Sequence, residues 1–422
     1  MKFLTETHLQ EFSSDKFKYK ELSKKILEEI LLKMELPNCF GLYGHWGSGK
    51  STLIRFIIQH INSEYDDVLP VYFEPWKYEY SNHNELLFAL LHKIRKDLSM
   101  KSSAKWKKLF AGLLAIGTGS LKAANVVDMD IQKISSDAKE LEEKFCNQHE
   151  RWVNEVEEFR DSFQSIINDG LKKKRSDKII IFIDDLDRCL PENTVRILEA
   201  IKNFLNVENT LFVLAIDSRV VSEMIEKKYG LHRGYGDEYL TKIIHYNYVL
   251  PKNTHIELVK DLLNSYKIVF TPRQVGYIDD FLLDFDVQPR ITKHLIHQLC
   301  MNIALSSKAA ELLQSDNEEQ QLQYLFVASY LLVKFPRLFT SGNVQEHLNN
   351  IRESTVQLIT PDKNSNHDEI CGRDKLIDSG DRKPLESIFK HPIFPISQTG
   401  VPSRGIINKD KLNDSLLAIR NQ

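Results

Sequence analysis

Glycine, lysine and hydroxyl residues stand between positions 44 and 51 at the spacing that binds phosphate. The segment Gly-His-Trp-Gly-Ser-Gly-Lys-Ser fits the pattern G-x-x-x-x-G-K-[ST]. Backbone N–H groups of such a loop turn inward around phosphate oxygens, and the next helix directs the positive end of its dipole at them. A chance match in a glycine-rich turn is the alternative, but the flanking apolar runs predict the required strand and helix. We therefore predict that nucleotide binds to Gly44, His45, Trp46, Gly47, Ser48, Gly49, Lys50, Ser51 and Thr52.

Two adjacent carboxylates form the second group of candidate residues. Asp184 and Asp185 follow five apolar residues in a row, which is typical of a strand buried on both faces of a sheet. Neighbouring carboxylates disfavour joint ionisation unless a cation is present. We predict that Lys50 bridges the β- and γ-phosphates of ATP, that Ser51 and Asp184 hold Mg²⁺, and that Asp185 orients or deprotonates water. An acidic turn without a ligand is the weaker alternative because the chain also carries a phosphate loop.

Arginine is expected to complete such a site, because a guanidinium stabilises the charge of phosphoryl transfer. The candidates are Arg188, Arg219, Arg290 or an arginine from a neighbouring subunit. Asp217 and Arg219 follow an apolar run, where a sensor of the γ-phosphate would lie. Arg290 falls in the first turn of a predicted helix, where a structural salt bridge is an equally good interpretation.

Apolar runs alternate with helical patterns through the first 251 residues, which predicts an α/β fold with a parallel sheet. We predict a P-loop NTPase with a central five-stranded sheet flanked by helices, a helical insert between the two nucleotide motifs and a C-terminal helical domain. The five strands are expected at 39–43, 68–73, 178–184, 209–217 and 246–251. The domain boundaries follow as 1–98 and 177–251 for the two parts of the NTPase domain, 99–176 for the insert, 252–340 for a helical lid and 341–422 for a polar tail.

Composition limits location and partners. The 422 residues carry a net charge of −3, so the net charge does not indicate a protein that coats nucleic acid. Five scattered cysteines without a C-x-x-C pair, and no signal peptide, favour the cytoplasm. The apolar run at 109–121 is too short for a transmembrane span. Basic runs at 101–108 and 172–175 leave peripheral membrane association and nucleic-acid contact open.

The motifs together resemble the KAP family of P-loop NTPases. The resemblance covers roughly residues 15–300, and the Asp-Asp-Leu-Asp-Arg-Cys string with Trp76 after the second strand is more specific than the phosphate loop. It implies an additional-strand sheet, with the Mg²⁺ acid on the strand next but one to the phosphate loop. It also implies that Asp187 and Arg188 belong to the family signature. The matching stretches are 41–51, 73–76, 184–189, 212–217, 239–244 and 289–293.

The chain departs from the family pattern at two points. Family members commonly carry transmembrane helices between the two motifs, whereas this chain has a short apolar run and a charged helical stretch there. Glu74 also stands where the family usually has Asn. The family resemblance further implies a bacterial setting, since many members belong to plasmid or anti-phage defence modules.

These observations predict an ATP hydrolase that acts as a molecular switch or assembly ATPase. A homo-oligomer that depends on nucleotide is expected, together with an unidentified protein partner bound by the insert or the tail. A nucleotide-binding scaffold that does not hydrolyse ATP, and an ATPase stimulated by nucleic acid, are the alternatives. A GTPase is disfavoured because no N-K-x-D motif follows the fourth strand.

Overall fold

A computed structural model describes most of the first 334 residues. The described ranges are 15–79, 85–101, 138–251, 254–305 and 318–334, without 267 and 269, together with 105–107, 109, 110, 113 and 415. They fall into two compact units, one ending at Pro251 and one beginning after it. The predicted tail, 341–422, lies outside the described residues apart from position 415.

Five parallel strands form one sheet, which confirms the predicted fold class. The strands are β1 (Asn38–Tyr43), β2 (Val68–Phe73), β3 (Lys178–Asp184), β4 (Thr210–Ile216) and β5 (Tyr246–Val249). Their order across the sheet is β2-β3-β4-β1-β5. One strand, β4, therefore separates β1 from β3, as the family resemblance implied. Because all neighbours are parallel, the carboxyl ends of the strands meet at one edge, where α/β proteins bind ligands.

Helices cover both faces of the sheet. The first unit contains α1 (Tyr19–Ile26, extended by a π-helical turn at Leu27–Leu31), α2 (Lys50–Glu64), α3 (Glu85–Asp97), α4 (Ala138–Lys174), α5 (Pro191–Ala200, extended by Ile201–Leu205), α6 (Ser218–Tyr229) and α7 (Tyr235–Thr241). Alternate residues of β3 enter different cores: Ile180 and Phe182 pack with α1 and α2, whereas Ile179, Ile181 and Ile183 pack with α3, α4 and α5. The apolar run therefore buries both faces of the strand, as its composition predicts.

The insert returns to the sheet through α4, a single helix of 37 residues. Its last five turns bury Phe159, Phe163 and Ile166 in the same core as Trp106 and Leu109. The apolar run that begins at Leu109 therefore starts by packing on the NTPase core. The sequence from 128 to 170 also predicts long helices that form a coiled hairpin, and the part of this stretch before 138 lies outside the described residues. Within the described part of the chain, every helix is too short or too polar to cross a membrane.

The second unit is helical throughout its described part. It contains α8 (Ile256–Ser265), α9 (Pro272–Asp284), α10 (Pro289–Leu305) and α11 (Glu318–Lys334). Helix α9 begins with a capping box, in which Thr271 accepts the Gln274 N–H and Gln274 accepts the Thr271 N–H. Phe281 of α9 contacts Phe326 and Tyr330 of α11 edge to face, so aromatic packing stabilises the core of this unit.

Candidate active site

The phosphate loop connects β1 to α2 and depends on two glycines with positive φ. Gly47 has a φ of 87° and Gly49 a φ of 98°, in the left-handed region that favours glycine. A Cβ on Gly49 would also clash with the ring of Tyr19. The Tyr19 hydroxyl donates a hydrogen bond to the Ser48 carbonyl. Helix α1 thus contacts the phosphate loop through Tyr19. No local sequence pattern indicates this contact.

Lys50 is buried and curls back over the start of its own loop. Its Nζ donates to the carbonyl oxygens of Gly44, at 2.7 Å, and His45, at 3.3 Å. The same Nζ lies 3.7 Å from a carboxylate oxygen of Asp187, and the two side chains are only 7% and 8% exposed. Asp187 also accepts the backbone N–H of Asp217 at 2.9 Å. Asp187 therefore links Lys50 to the end of β4, a role that the family signature did not define.

The Ser48 hydroxyl is a buried oxygen with no hydrogen-bond partner among the described residues. It lies inside the loop, close to Gly44, because a Cβ on Gly44 would stand 2.6 Å from it. An orphaned hydroxyl in a phosphate loop suits an anionic ligand that supplies the missing acceptor. The residues present therefore fit a bound phosphate group.

Asp184 ends β3 with its side chain fully buried and both carboxylate oxygens hydrogen-bonded. Oδ2 accepts the hydroxyl of Tyr72 at 2.8 Å, and Oδ1 accepts the backbone N–H of Asp185 at 3.0 Å. Burial, followed by the charge of Asp184, raises the pKa of Tyr72 above its usual range. A carboxylate beside a phosphate loop is the donor type that Mg²⁺ prefers, with phosphate oxygens and water completing its shell. Among the described residues, no group of three or more His, Cys, Asp or Glu side chains is arranged so that protein ligands alone could hold a metal ion.

Asp185 is buried in a conformation that is uncommon for its residue type. Its φ of 57° and ψ of 28° lie in the left-handed region, and such strain concentrates at functional sites. Burial raises the pKa of Asp185 to about 6, and the charge of Asp184 adds to the rise while Arg188 opposes it. The Arg188 guanidinium lies 2.8 Å from Oδ1 of Asp185. The second acid of the motif is thus held by an arginine three residues later.

Arg188 itself lies beside two tryptophans. Its guanidinium carbon is 5.0 Å from the centre of the Trp46 ring and 5.4 Å from that of Trp76, within the range of cation–π attraction. Trp46 belongs to the phosphate loop and is 61% exposed, and Trp76 follows β2 and is 49% exposed. Trp76 therefore contacts the arginine of the second motif. The string 184–189 and Trp76 are brought together by the pairing of β2 with β3.

The predicted sensor residues lie at the end of β4. The Asp217 carboxylate caps α6 and contacts Nε and an Nη of Arg219 at 3.3 and 3.2 Å. Burial is the largest single influence and raises the pKa of Asp217, but the hydrogen bonds and charges of Arg219 and His45 together outweigh it and leave this pKa lowered. Arg219 also donates to Nδ1 of His45 at 2.6 Å, since a guanidinium only donates. The structure therefore connects β4 to the phosphate loop through Arg219.

Arg290 lies in the first turn of α10, directly after Pro289, where the sequence predicted it. It belongs to the unit that begins after Pro251. Its role toward the phosphates stays a prediction.

Comparison with known proteins gives one family match and several distant relatives. The model of the KAP family P-loop domain matches residues 19–302. The phage T7 exclusion protein of Escherichia coli K12 is 24% identical over 267 residues, which cover 59% of this chain and 35% of that protein. An uncharacterized protein of Methanocaldococcus jannaschii is 32% identical over 126 residues, which cover 26% of this chain and 61% of that protein. The chain thus spans about a third of the first relative and three fifths of the second.

Two solved structures are similar at low sequence identity. The ORC2 protein of Aeropyrum pernix, in its ADPNP and ADP complexes, has a TM-score of 0.36 at 14% identity and covers 99% of this chain and 89% of its own. A Walker-type ATPase of Pyrococcus abyssi has a TM-score of 0.38 at 10% identity, with 97% and 99% covered.

Proposed function

Because the chain belongs to the KAP family of P-loop domains, we propose that it is a Mg²⁺-dependent ATP hydrolase. The family match confirms the resemblance inferred from the motifs. The observation that supports hydrolysis best is the pair of buried carboxylates that end β3, Asp184 and Asp185. They lie at the edge of the sheet from which the phosphate loop projects. Asp184 accepts two hydrogen bonds and Asp185 pairs with Arg188, so one can serve as a metal ligand and the other as a base.

The phosphate loop binds the triphosphate through three kinds of donor. Backbone N–H groups and the helix dipole of α2 attract the phosphate oxygens. The Ser48 hydroxyl gains the acceptor that it lacks in the described structure. Lys50, which now donates to two loop carbonyls, has a third N–H available for phosphate.

Asp184 and Ser51 would hold Mg²⁺, which neutralises charge on the β- and γ-phosphate oxygens when it is bound. Asp185 orients the attacking water and accepts its proton, because its carboxylate is buried beside the site and held in place by Arg188. Arg188 acts on Asp185 rather than on the phosphates in this assignment. Arg219 and Arg290 stay candidates for the cation that stabilises the γ-phosphate, with an arginine of a neighbouring subunit as the third.

We propose that hydrolysis drives a switch or an assembly step in bacterial defence against phage. The similarity to the phage T7 exclusion protein supports this setting. A plasmid-related role is the second setting that the family resemblance implies. The insert and the tail are the candidate surfaces for a protein partner. Three cysteines whose side chains the structure describes, Cys39, Cys189 and Cys300, are free and buried thiols, which supports a reducing compartment such as the cytoplasm.

A scaffold that binds nucleotide without hydrolysing it is the second candidate function. The ion pair between Arg188 and Asp185 favours it, because an arginine then occupies one oxygen of the catalytic acid. Stimulation by nucleic acid has weaker support, since the basic run Lys172–Arg175 is simply the exposed end of α4 and the turn after it.

Phosphate release from ATP and GTP, with Mg²⁺ or with EDTA, tests the proposed activity. We expect release only from ATP with Mg²⁺, and a loss of at least a hundredfold in Lys50→Ala because the phosphates lose their buried cation. Lys33→Ala is the matched control, since Lys33 is exposed and pairs only with Glu29 among the contacts described. Equal release by wild type and Lys50→Ala would overturn the proposal, and equal release from GTP would overturn its nucleotide specificity.

A further inference from the structure

Tyr72 of β2 is a half-buried residue whose hydroxyl donates to the acid at the end of the neighbouring strand. Its Oη lies 2.8 Å from Oδ2 of Asp184. In the register of the two parallel strands, Tyr72 pairs with Phe182. Asp184 follows Phe182 by two residues and therefore points to the same face of the sheet. The contact is thus a consequence of strand register, and it joins residues 112 positions apart.

The second oxygen of Asp184 is held as well. Oδ1 accepts the backbone N–H of Asp185 at 3.0 Å. Two donors at fixed positions leave the carboxylate one orientation, with its remaining lone pairs directed away from Tyr72 and the backbone. A ligating carboxylate that is fixed in this way binds a metal ion with less loss of freedom, and partners of this kind typically change metal affinity 10–100-fold.

Tyr72 is in turn fixed by a residue of the phosphate-loop helix. The guanidinium of Arg55, on α2, lies 5.0 Å from the centre of the Tyr72 ring. Arg55 is also 4.0 Å from the carboxylate of Glu74, two residues after Tyr72. The ring therefore packs between the sheet and α2, and a rotation that would withdraw the hydroxyl from Asp184 would also displace Arg55.

We propose that Tyr72 is a positioning residue that orients Asp184 for the metal ion of the bound nucleotide. This inference rests on the proposed function, because it assumes that Asp184 ligates a divalent cation. Tyr72 does not touch the reacting atoms and acts only through the carboxylate.

Binding of Mn²⁺ to the full chain, measured by electron paramagnetic resonance, tests the inference. Wild type, Tyr72→Phe and Tyr65→Phe are each loaded with one equivalent of a non-hydrolysable ATP analogue before titration. Tyr65→Phe is the matched control because it also removes a hydroxyl bonded to a carboxylate, that of Glu28, at 2.9 Å. We expect Tyr72→Phe to weaken Mn²⁺ binding about tenfold or more, and Tyr65→Phe to leave it unchanged.

Two further readouts separate the outcomes. The affinity for the analogue in EDTA is expected to stay unchanged in Tyr72→Phe, because the phosphate loop is intact. Thermal unfolding identifies a variant that has lost its fold. If folded Tyr72→Phe binds Mn²⁺ as tightly as wild type, the hydroxyl is structural and the inference is wrong. If wild type takes up no Mn²⁺ with the analogue, the proposed function fails instead.

Discussion

The three aspartates of the motif at 184–189 have different hydrogen-bond and ion-pair partners. These partners determine the chemistry for which each carboxylate is suited. Asp184 is held by two hydrogen-bond donors, Asp185 pairs with Arg188, and Asp187 lies beside Lys50. These surroundings support the proposed roles of Asp184 as a metal ligand and of Asp185 as a base, whereas Asp187 forms an ion pair with the buried Lys50. Identical side chains thus acquire separate partners from the strand register and the turn that follows β3.

Replacing Asp187 with Asn should tighten nucleotide binding. A full negative charge 3.7 Å from the Lys50 ammonium competes with phosphate for that cation, and unit charges at this distance interact by about 4 kcal/mol near a protein surface. Asn keeps an oxygen that can accept the Asp217 N–H. We expect ADP affinity, measured by calorimetry in EDTA, to rise roughly tenfold because Asn no longer competes as an anion with phosphate for the Lys50 ammonium.

Asp66→Asn is the control for Asp187→Asn, because it removes the same charge from an exposed turn. It should leave ADP affinity unchanged. Weaker binding in Asp187→Asn would contradict the competition and would mean that Asp187 orients Lys50 toward the phosphates.

Much of the fold follows from sequence pattern at the level of elements. The phosphate loop, the apolar run of β3 and the alternation of strands with helices predict the parallel sheet, because each depends on neighbouring residues. The contacts of Tyr72 with Asp184 and of Lys50 with Asp187 were beyond such prediction, since each joins residues more than 100 positions apart. The hydrogen bond from Tyr19 to the Ser48 carbonyl was also missed, because it joins two separate elements 29 positions apart. The spacing of apolar residues identifies a helix, but it does not show which side chain of that helix contacts a loop.

A buried histidine should make the helical unit sensitive to acid. His255 precedes α8, and its Nδ1 lies 3.0 Å from the Thr292 hydroxyl of α10. Its backbone N–H is bonded to Asp279 of α9. Burial lowers the pKa of His255 to about 4, and the charge of Asp286 opposes the shift. An unfolded histidine has a pKa of about 6.5, so the unfolded chain binds more protons than the folded chain between these values.

The free energy of unfolding should therefore fall as pH is lowered from about 6.5 to 4, by at most about 3 kcal/mol. Urea unfolding followed by far-ultraviolet circular dichroism at pH 7 and pH 5 checks this. His255→Gln should reduce the difference between the two pH values, because Gln does not titrate. His294→Gln, at an exposed position of α10, should leave the difference as in wild type. An unchanged pH dependence in His255→Gln would show that the histidine is not responsible.

At the scale of the whole molecule, the candidate site exposes aromatic surface. Trp46 and Trp76 are each about half exposed or more, and both contact Arg188. Exposed aromatic surface of this kind is typical of interaction sites. Both tryptophans lie next to residues that nucleotide would contact, so binding of nucleotide is expected to change the surface that a subunit meets.

The chain should assemble in a nucleotide-dependent way. We expect a larger species by size-exclusion chromatography with light scattering when Asp185→Asn is saturated with Mg-ATP, because the variant retains the triphosphate. The nucleotide-free and ADP-bound forms should be smaller. Identical masses in the three forms would argue against assembly and would leave a protein partner as the candidate target of the switch.

Single-turnover hydrolysis of ATP by Asp185→Asn tests most directly whether Asp185 makes this site a hydrolase. Asp177→Asn is the matched control, since Asp177 is exposed and stands just before the amino end of the same strand. We predict that Asp185→Asn retains ATP binding and hydrolyses it at least a hundredfold more slowly than wild type, while Asp177→Asn matches wild type. Equal rates for wild type and Asp185→Asn would contradict the account and would favour the scaffold.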